Sequence, residues 1–194
     1  MGVEGDGSAR ASFPRIAAFS ALVITALVLA LYGLAALVAA LLRLPGDLSL
    51  PWPVRAGGAA LIAGGFAMLA WLFRHRHPVE VVTSSHATLR KPFLGGDVAA
   101  PRGRTEPLVV VGPYRVVRHP MYSGLTLIVL GIGLATDHTW ALLGGLFLFL
   151  WFALVIAPFE ERELRALFGP AYEAYARETP RFLPRPRWRR RHDA

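Results

Sequence analysis

From Ile16 to Leu42 the chain runs 27 residues without a charge. At about 1.5 Å per helical residue, such a run exceeds the ~30 Å apolar core of a bilayer. Lipid offers the backbone no hydrogen-bond partners, so a spanning segment of this kind closes its bonds internally as a helix. Three more apolar runs follow: Val54 to Phe73, whose one charge, Arg55, lies at its edge; Pro120 to Thr136; and Trp140 to Phe159. Only Asp137-His138-Thr139 separates the last two. The pattern predicts an all-α integral membrane fold with four transmembrane helices, the last two a tight hairpin. The third run is the shortest and spans only if it starts near His119 or the bilayer thins locally. The first is too long for a signal-peptide core, and Glu4 and Asp6 precede it, so it is expected to be retained.

A net charge of +8 raises the question of nucleic acid, but its distribution answers for a membrane. Of 21 Lys and Arg, two precede the first run and two lie in the first connection. Eight lie between Arg74 and Arg118, none lies in the third connection, and nine follow Phe159. Basic residues favour the cytoplasmic side, which predicts cytoplasmic N- and C-termini, in a bacterial-type inner membrane, and no nucleic-acid partner. The basic tail, residues 185–194, is expected to meet anionic lipid headgroups or simply to fix topology. There is no cysteine, which excludes thiolate metal sites and cysteine nucleophiles.

Residues 1–15 are expected to be disordered, 16–73 to form the two N-terminal transmembrane helices, and 74–118 to be irregular structure over the cytoplasmic end of the bundle. After Phe159, Leu164, Leu167, Phe168, Tyr172 and Tyr175 recur at helical spacing opposite Glu163, Arg165, Glu173 and Arg177, predicting C-terminal amphipathic helices. Gly169-Pro170 divides them in two.

The chemistry concentrates in Gly112-Pro113-Tyr114-Arg115-Val116-Val117-Arg118-His119-Pro120-Met121-Tyr122-Ser123-Gly124 and in Glu160-Glu161. His119-Pro120 is an extended residue before a proline at a helix's first turn. The new helix N-terminus suits a carboxylate, and Gly124 faces either the site or a neighbouring helix. Adjacent glutamates on a helix point about 100° apart, so they are not a shared-proton dyad. One can face a cation and the other pair with Arg118 or Arg115. The plainer reading makes the basic residues interfacial anchors, the tyrosines an aromatic belt, and the glutamates a solvated helix start. His75, His77 and His86 are read as interfacial residues, and no metal is expected.

Gly-x-Tyr-Arg-x-x-Arg-His-Pro-x-Tyr-x-Gly, a helical hairpin, Glu-Glu, Phe168-Gly169-x-x-Tyr172-x-x-Tyr175 and Pro180-Arg181-Phe182-x-Pro184 together resemble the integral membrane methyltransferases, which include isoprenylcysteine carboxyl methyltransferase and phospholipid methyltransferase. The resemblance covers about residues 106–184. It implies that 74–184 is a methyltransferase core binding S-adenosylmethionine at the cytoplasmic face. Leu108, Val109, Tyr114, His119, Pro120, Met121, Tyr122 and Gly124 would line the cofactor site, with Glu160 holding the ammonium group and Glu161 beside it. His119, Glu161 and Arg118 are the implied catalytic groups. The acceptor implied is a lipid or small amphipathic molecule; where the prenylcysteine branch carries an arginine this chain has Ile156, which argues against that substrate. A thiolate or carboxylate needs no base, whereas for an amine or alcohol His119 or Glu161 is nearest. The alternatives are an NADPH-dependent sterol-type reductase and a non-catalytic membrane scaffold.

Overall fold

A computed structural model of the chain describes residues 6–76 and 108–184. Most of the 74–118 connection, the basic tail, His77 and His86 therefore lie outside the described residues. Within them the fold is helical, with one isolated bridge between Asp47 and His138 in place of any strand. Helix α1 covers Asp6–Leu41 and α2 covers Trp52–His75. A 3-10 turn at Gly112–Arg115 leads to α3, Pro120–Thr136, and then α4, Thr139–Trp151. A π-helical segment, Phe152–Ile156, joins α4 to α5, Ala157–Phe168, and α6 covers Pro170–Glu178.

Three helical stretches are long and apolar enough to cross a membrane: Ala21–Leu41, Trp52–His75 and Thr139–Phe168. The apolar helix Pro120–Thr136 is shorter, at 17 residues. Helix α1 begins at Asp6, ahead of the charge-free run that starts at Ile16, and one expectation is corrected. The last long helix does not end at Phe159 but runs on through the two glutamates to Phe168. The cause is visible around Pro158, which has no N–H to give and whose ring crowds the carbonyl four residues back. The preceding turn widens, so that the Ala157 N–H reaches the Phe152 carbonyl, and the helix continues. It stops where Gly169 takes φ +49, a value glycine adopts without steric cost, and Pro170 opens α6 as expected.

Helix α2 packs along α3, α3 along α4, and α1 along α4. Pairs of glycines set the first of these contacts. A Cβ at Gly58 would lie 2.7 Å from the Gly131 carbonyl oxygen, and one at Gly65 would lie 2.6 Å from that of Gly124. Backbones this close gain dispersion contacts that larger residues would block, which matters where lipid removes the hydrophobic drive between helices. Gly131→Ala is accordingly expected to lower stability by about 1–3 kcal/mol through overpacking. Gly57→Ala, where a Cβ meets nothing within 4 Å, should be neutral or slightly stabilising. Thermal melts of both variants in detergent check the pair; equal melting temperatures would count against the interface.

The α1–α2 and α3–α4 turns meet at one end of the bundle. Asp137, at φ +64, ends α3 in the left-handed region that aspartate tolerates, and its carboxylate accepts from the Leu50 N–H at 3.0 Å. His138 Nδ1 lies 2.8 Å from Asp47 Oδ1, and the Thr139 N–H donates to the Gly46 carbonyl. The opposite end gathers the close of α2, the 3-10 turn, the start of α3 and the glutamates of α5. A Cβ on Gly112 there would strike the His75 ring at 2.7 Å.

Candidate functional site

His119 precedes Pro120, which cannot donate a backbone hydrogen bond and opens α3 without needing to. Residues 118 and 119 are pinned by the C-terminal segment: the Arg118 N–H donates to the Pro180 carbonyl at 2.8 Å, and the His119 N–H donates to that of Arg181 at 3.0 Å. The Ser123 hydroxyl adds contacts to the carbonyls of His119 (3.0 Å) and Phe182 (2.9 Å). The residues flanked by Pro180 and Pro184 thus form a strap over the start of α3.

Under that strap Glu161 is fully buried. Arg181 grips it in a two-pronged pair, Nε to Oε1 and Nη2 to Oε2, each at 2.8 Å. Arg118 Nη2 stands 3.3 Å from Oε1, and Arg165, one turn along α5, stands 3.4 Å from Oε2. A buried carboxylate is tolerated only when paired and hydrogen-bonded, and this one is paired on both oxygens.

The His119 ring bridges the two acids. Its Nε2 lies 3.3 Å from Glu161 Oε1 and its Nδ1 lies 3.4 Å from Glu160 Oε2. A neutral imidazole has one N–H and one lone pair, so it would aim the lone pair at a carboxylate; only the imidazolium donates to both. Burial lowers the tendency of His119 to hold a proton, but the bonds and charges of Glu160 and Glu161 outweigh it and raise its pKa above 6.5. Stability from this contact is therefore fully present below pH 6.5 and is lost as pH rises through the folded value. The melting temperature is expected to fall from pH 6.5 towards 9, below the range of ordinary tyrosine ionisation. A flat profile across that interval would mean a neutral ring.

Aromatic rings cover the imidazole. Tyr122 stacks on it at 5.7 Å between centroids and Phe182 leans on it at 5.6 Å. Phe152, the first residue of the π segment, stacks on Tyr122 at 4.7 Å, and Phe149 meets Phe182 edge-on at 5.6 Å. On the far side, the Tyr175 hydroxyl donates to the Tyr114 carbonyl at 2.7 Å. Burial, reinforced by the negative charge of Glu161, pushes the Tyr172 phenol up to about 12. Burial likewise raises Tyr175, so both phenols stay neutral.

The structure brings together His119, Arg118, Tyr122, Glu160 and Glu161 as the sequence grouped them. Of the two acids, Glu161 is the one that pairs with arginine, and of the two candidates it meets Arg118 rather than the exposed Arg115. Pro120 and Met121 follow directly, buried and half-buried. Gly124 faces α2 rather than the cluster, at the Gly65 contact. Leu108 and Val109 are half-buried on the extended approach to the 3-10 turn, and none of the bonds above involves them. Sequence reasoning assigned no role to Arg181, Phe182, Arg165 or Phe152. The first two lay within the proline-flanked motif, the only available signal. Among the described residues no group of three metal-ligating side chains occurs.

The family model for phospholipid methyltransferases matches residues 54–171. Over 153 residues the chain is 34% identical to methanethiol S-methyltransferase 2 of Bradyrhizobium diazoefficiens, covering 74% of this chain and 54% of that protein. It is 36% identical over 94 residues to protein-S-isoprenylcysteine O-methyltransferase of Schizosaccharomyces pombe, covering 45% and 37%. It is 39% identical over 80 residues to a cobalt-zinc-cadmium resistance protein of Cupriavidus metallidurans, covering 40% and 36%. The chain thus spans about half or less of the length of these curated relatives. No solved structure matches it.

Proposed function

The chain belongs to the phospholipid methyltransferase family, and on that premise we propose that it transfers a methyl group from S-adenosylmethionine to a lipid-phase or small amphipathic acceptor. The observation that carries the reading is the union of the α3 start with the acid pair of α5 beneath an aromatic tier. An amino-acid head group bears an ammonium and a carboxylate, and the donor set offers both complements. Glu160 keeps a side chain 25% exposed, open to an ammonium, while the guanidiniums of Arg165 and Arg181 stay 44% and 42% exposed for a carboxylate. The faces of Tyr122 and Phe182 suit a cationic sulfur.

When bound, the cofactor supplies an electrophilic methyl group. The chain's own residues position and desolvate. Arg118, His119 and Arg181 hold Glu161 fixed and so fix the strap and the start of α3 in one geometry. The rings of Phe149, Phe152 and Phe182 exclude water, which strengthens each electrostatic contact around the transfer. Leu108, Val109, Tyr114, Pro120 and Met121 are assigned to the wall of the same cleft.

We read α3 as a fourth span despite its 17 residues, with the cluster on the cytoplasmic side of a bacterial-type inner membrane and both termini there too, as the basic residues favour. The basic tail is assigned to anionic headgroups. Equilibrium binding to the purified protein in detergent tests the whole reading. S-adenosylmethionine should bind and NADPH should not; preference for NADPH would establish the reductase alternative, and binding of neither the scaffold.

A further inference from the structure

Resting on that reading, we propose that Phe152 is a positioning residue for the transfer site, acting on the His119 ring through Tyr122. An imidazole turns about a terminal sp3–sp2 bond whose energy well is broad, so its plane needs outside support. The acids supply little of it. His119 meets Glu160 at 3.4 Å and Glu161 at 3.3 Å, both beyond the usual nitrogen-to-oxygen hydrogen-bond distance. The backbone bonds of residues 118 and 119 to the strap fix where the side chain begins but leave the ring free to turn.

Ring contacts supply the rest. Tyr122 lies 5.7 Å from the imidazole centroid with the planes 24° apart, and Phe182 lies 5.6 Å away at 32°. Each of these rings is backed by another from the helix that carries the acids. Phe152 stacks on Tyr122 at 4.7 Å and 24°, the shortest contact of the set, and Phe149 meets Phe182 edge-on at 5.6 Å and 74°. The five rings make an arch. It leaves α4 at Phe149, crosses the strap and the start of α3, and returns to the same helix at Phe152. Residues three apart share a helix face, so a single turn of backbone carries both footings.

The middle of the arch is dry, with His119 and Tyr122 only 5% and 7% exposed, while Phe149 and Phe152 at its feet are half-buried. Stacked rings prefer particular offsets and tilts, which are lost when either ring turns. A leucine in place of Phe152 would fill space without preferring any plane for Tyr122. The ring at 152 therefore contributes orientation beyond its bulk. Its backbone contributes as well, because the Phe152 carbonyl accepts the Ala157 N–H that defines the widened turn. One residue thus aims the imidazole through its side chain and the acids through its main chain.

Variants of the full chain in lipid nanodiscs test this: Phe152→Leu, Phe152→Tyr and, as a control for packing alone, Phe159→Leu. Phe159 is buried in α5 under the Arg162 guanidinium, apart from the arch. Carbon-13 NMR of labelled histidine reads the His119 ring, assigned by the signal lost in His119→Asn, and calorimetry reads the affinity for S-adenosylmethionine. In Phe152→Leu the His119 ring signals should shift and broaden. The cofactor should bind roughly 3- to 10-fold more weakly, the share that one ring pair carries. Phe152→Tyr should recover both readouts, and Phe159→Leu should lower the melting temperature while moving neither. Phe152→Met replaces the leucine variant if that one does not fold. His119 signals unmoved by loss of the 152 ring, no recovery in Phe152→Tyr, or an equal shift in Phe159→Leu would overturn the proposal. If the parent protein does not bind the cofactor, the methyltransferase reading fails, and the histidine signals still decide whether Phe152 positions His119.

Discussion

Glu161→Ala is expected to destabilise the protein by roughly 3–5 kcal/mol, the range seen when one member of a buried charge pair is removed. The carboxylate is the common partner of Arg118, Arg165, Arg181 and His119. Without it, Arg118, whose side chain is only 11% exposed, remains as unpaired charge in a dry setting, and His119, at 3%, is left with Glu160 alone of its two acids. Arg165 and Arg181 are 44% and 42% exposed and can turn to water, so their share of the loss is small. The strap suffers next, because Arg181 tethers its side chain only through Glu161 in this cluster. For a chain this long the loss corresponds to a melting temperature lower by on the order of 10 °C. Glu161→Gln preserves the shape and one acceptor oxygen and should fall between the two. Tryptophan fluorescence melts in detergent provide the measurement; an unshifted Glu161→Ala would show that the arginines are solvated and the cluster is not one unit.

Glu160→Ala is expected to separate binding from folding. The side chain is 25% exposed and its pairing with the His119 ring is long, at 3.4 Å, so the stability change should stay below about 1 kcal/mol. Its assigned partner is the ammonium end of S-adenosylmethionine. A hydrogen bond to a charged group contributes about 1.5–3 kcal/mol, which converts to roughly 10- to 100-fold weaker cofactor binding. Calorimetric titration alongside a thermal melt reads both quantities on one sample. Unchanged affinity in a folded variant would falsify the assignment of the ammonium group to Glu160.

Much of this was legible because membrane crossing leaves a coarse imprint. An apolar run from Val54 to Phe73, with its one charge at the edge, located α2 to within two residues at each end, and Pro120 to Thr136 is the helix observed. Asp137 and Gly169-Pro170 marked real chain reversals because their backbones need left-handed or proline-fixed geometry. Less legible was whatever depends on register or distance. Pro158 beside two acids reads locally as the end of a helix, whereas a single widened turn lets α4 run on into α5. The choice of Glu161 over Glu160 as the inward acid turns on the same offset. The two-pronged Arg181 contact joins residues 20 positions apart, and no local pattern encodes it. Glycines spaced to match between α2 and α3 look like ordinary small residues until both helices are in view.

Along the widened turn, the quantity under constraint is its width. Leu154 there is 70% exposed to the exterior, so its replacement by another apolar side chain changes little. Losing one of Ala153, Leu154 or Val155 as the turn tightens to ordinary α spacing would nearly cancel out, but the same tightening with every residue kept would swing everything beyond it by most of the roughly 100° that one residue occupies. The acids would then point away from the imidazole although every chemically important residue was still present. Natural variants of this chain are expected to drift freely in spelling across that stretch and to keep the proline that widens it.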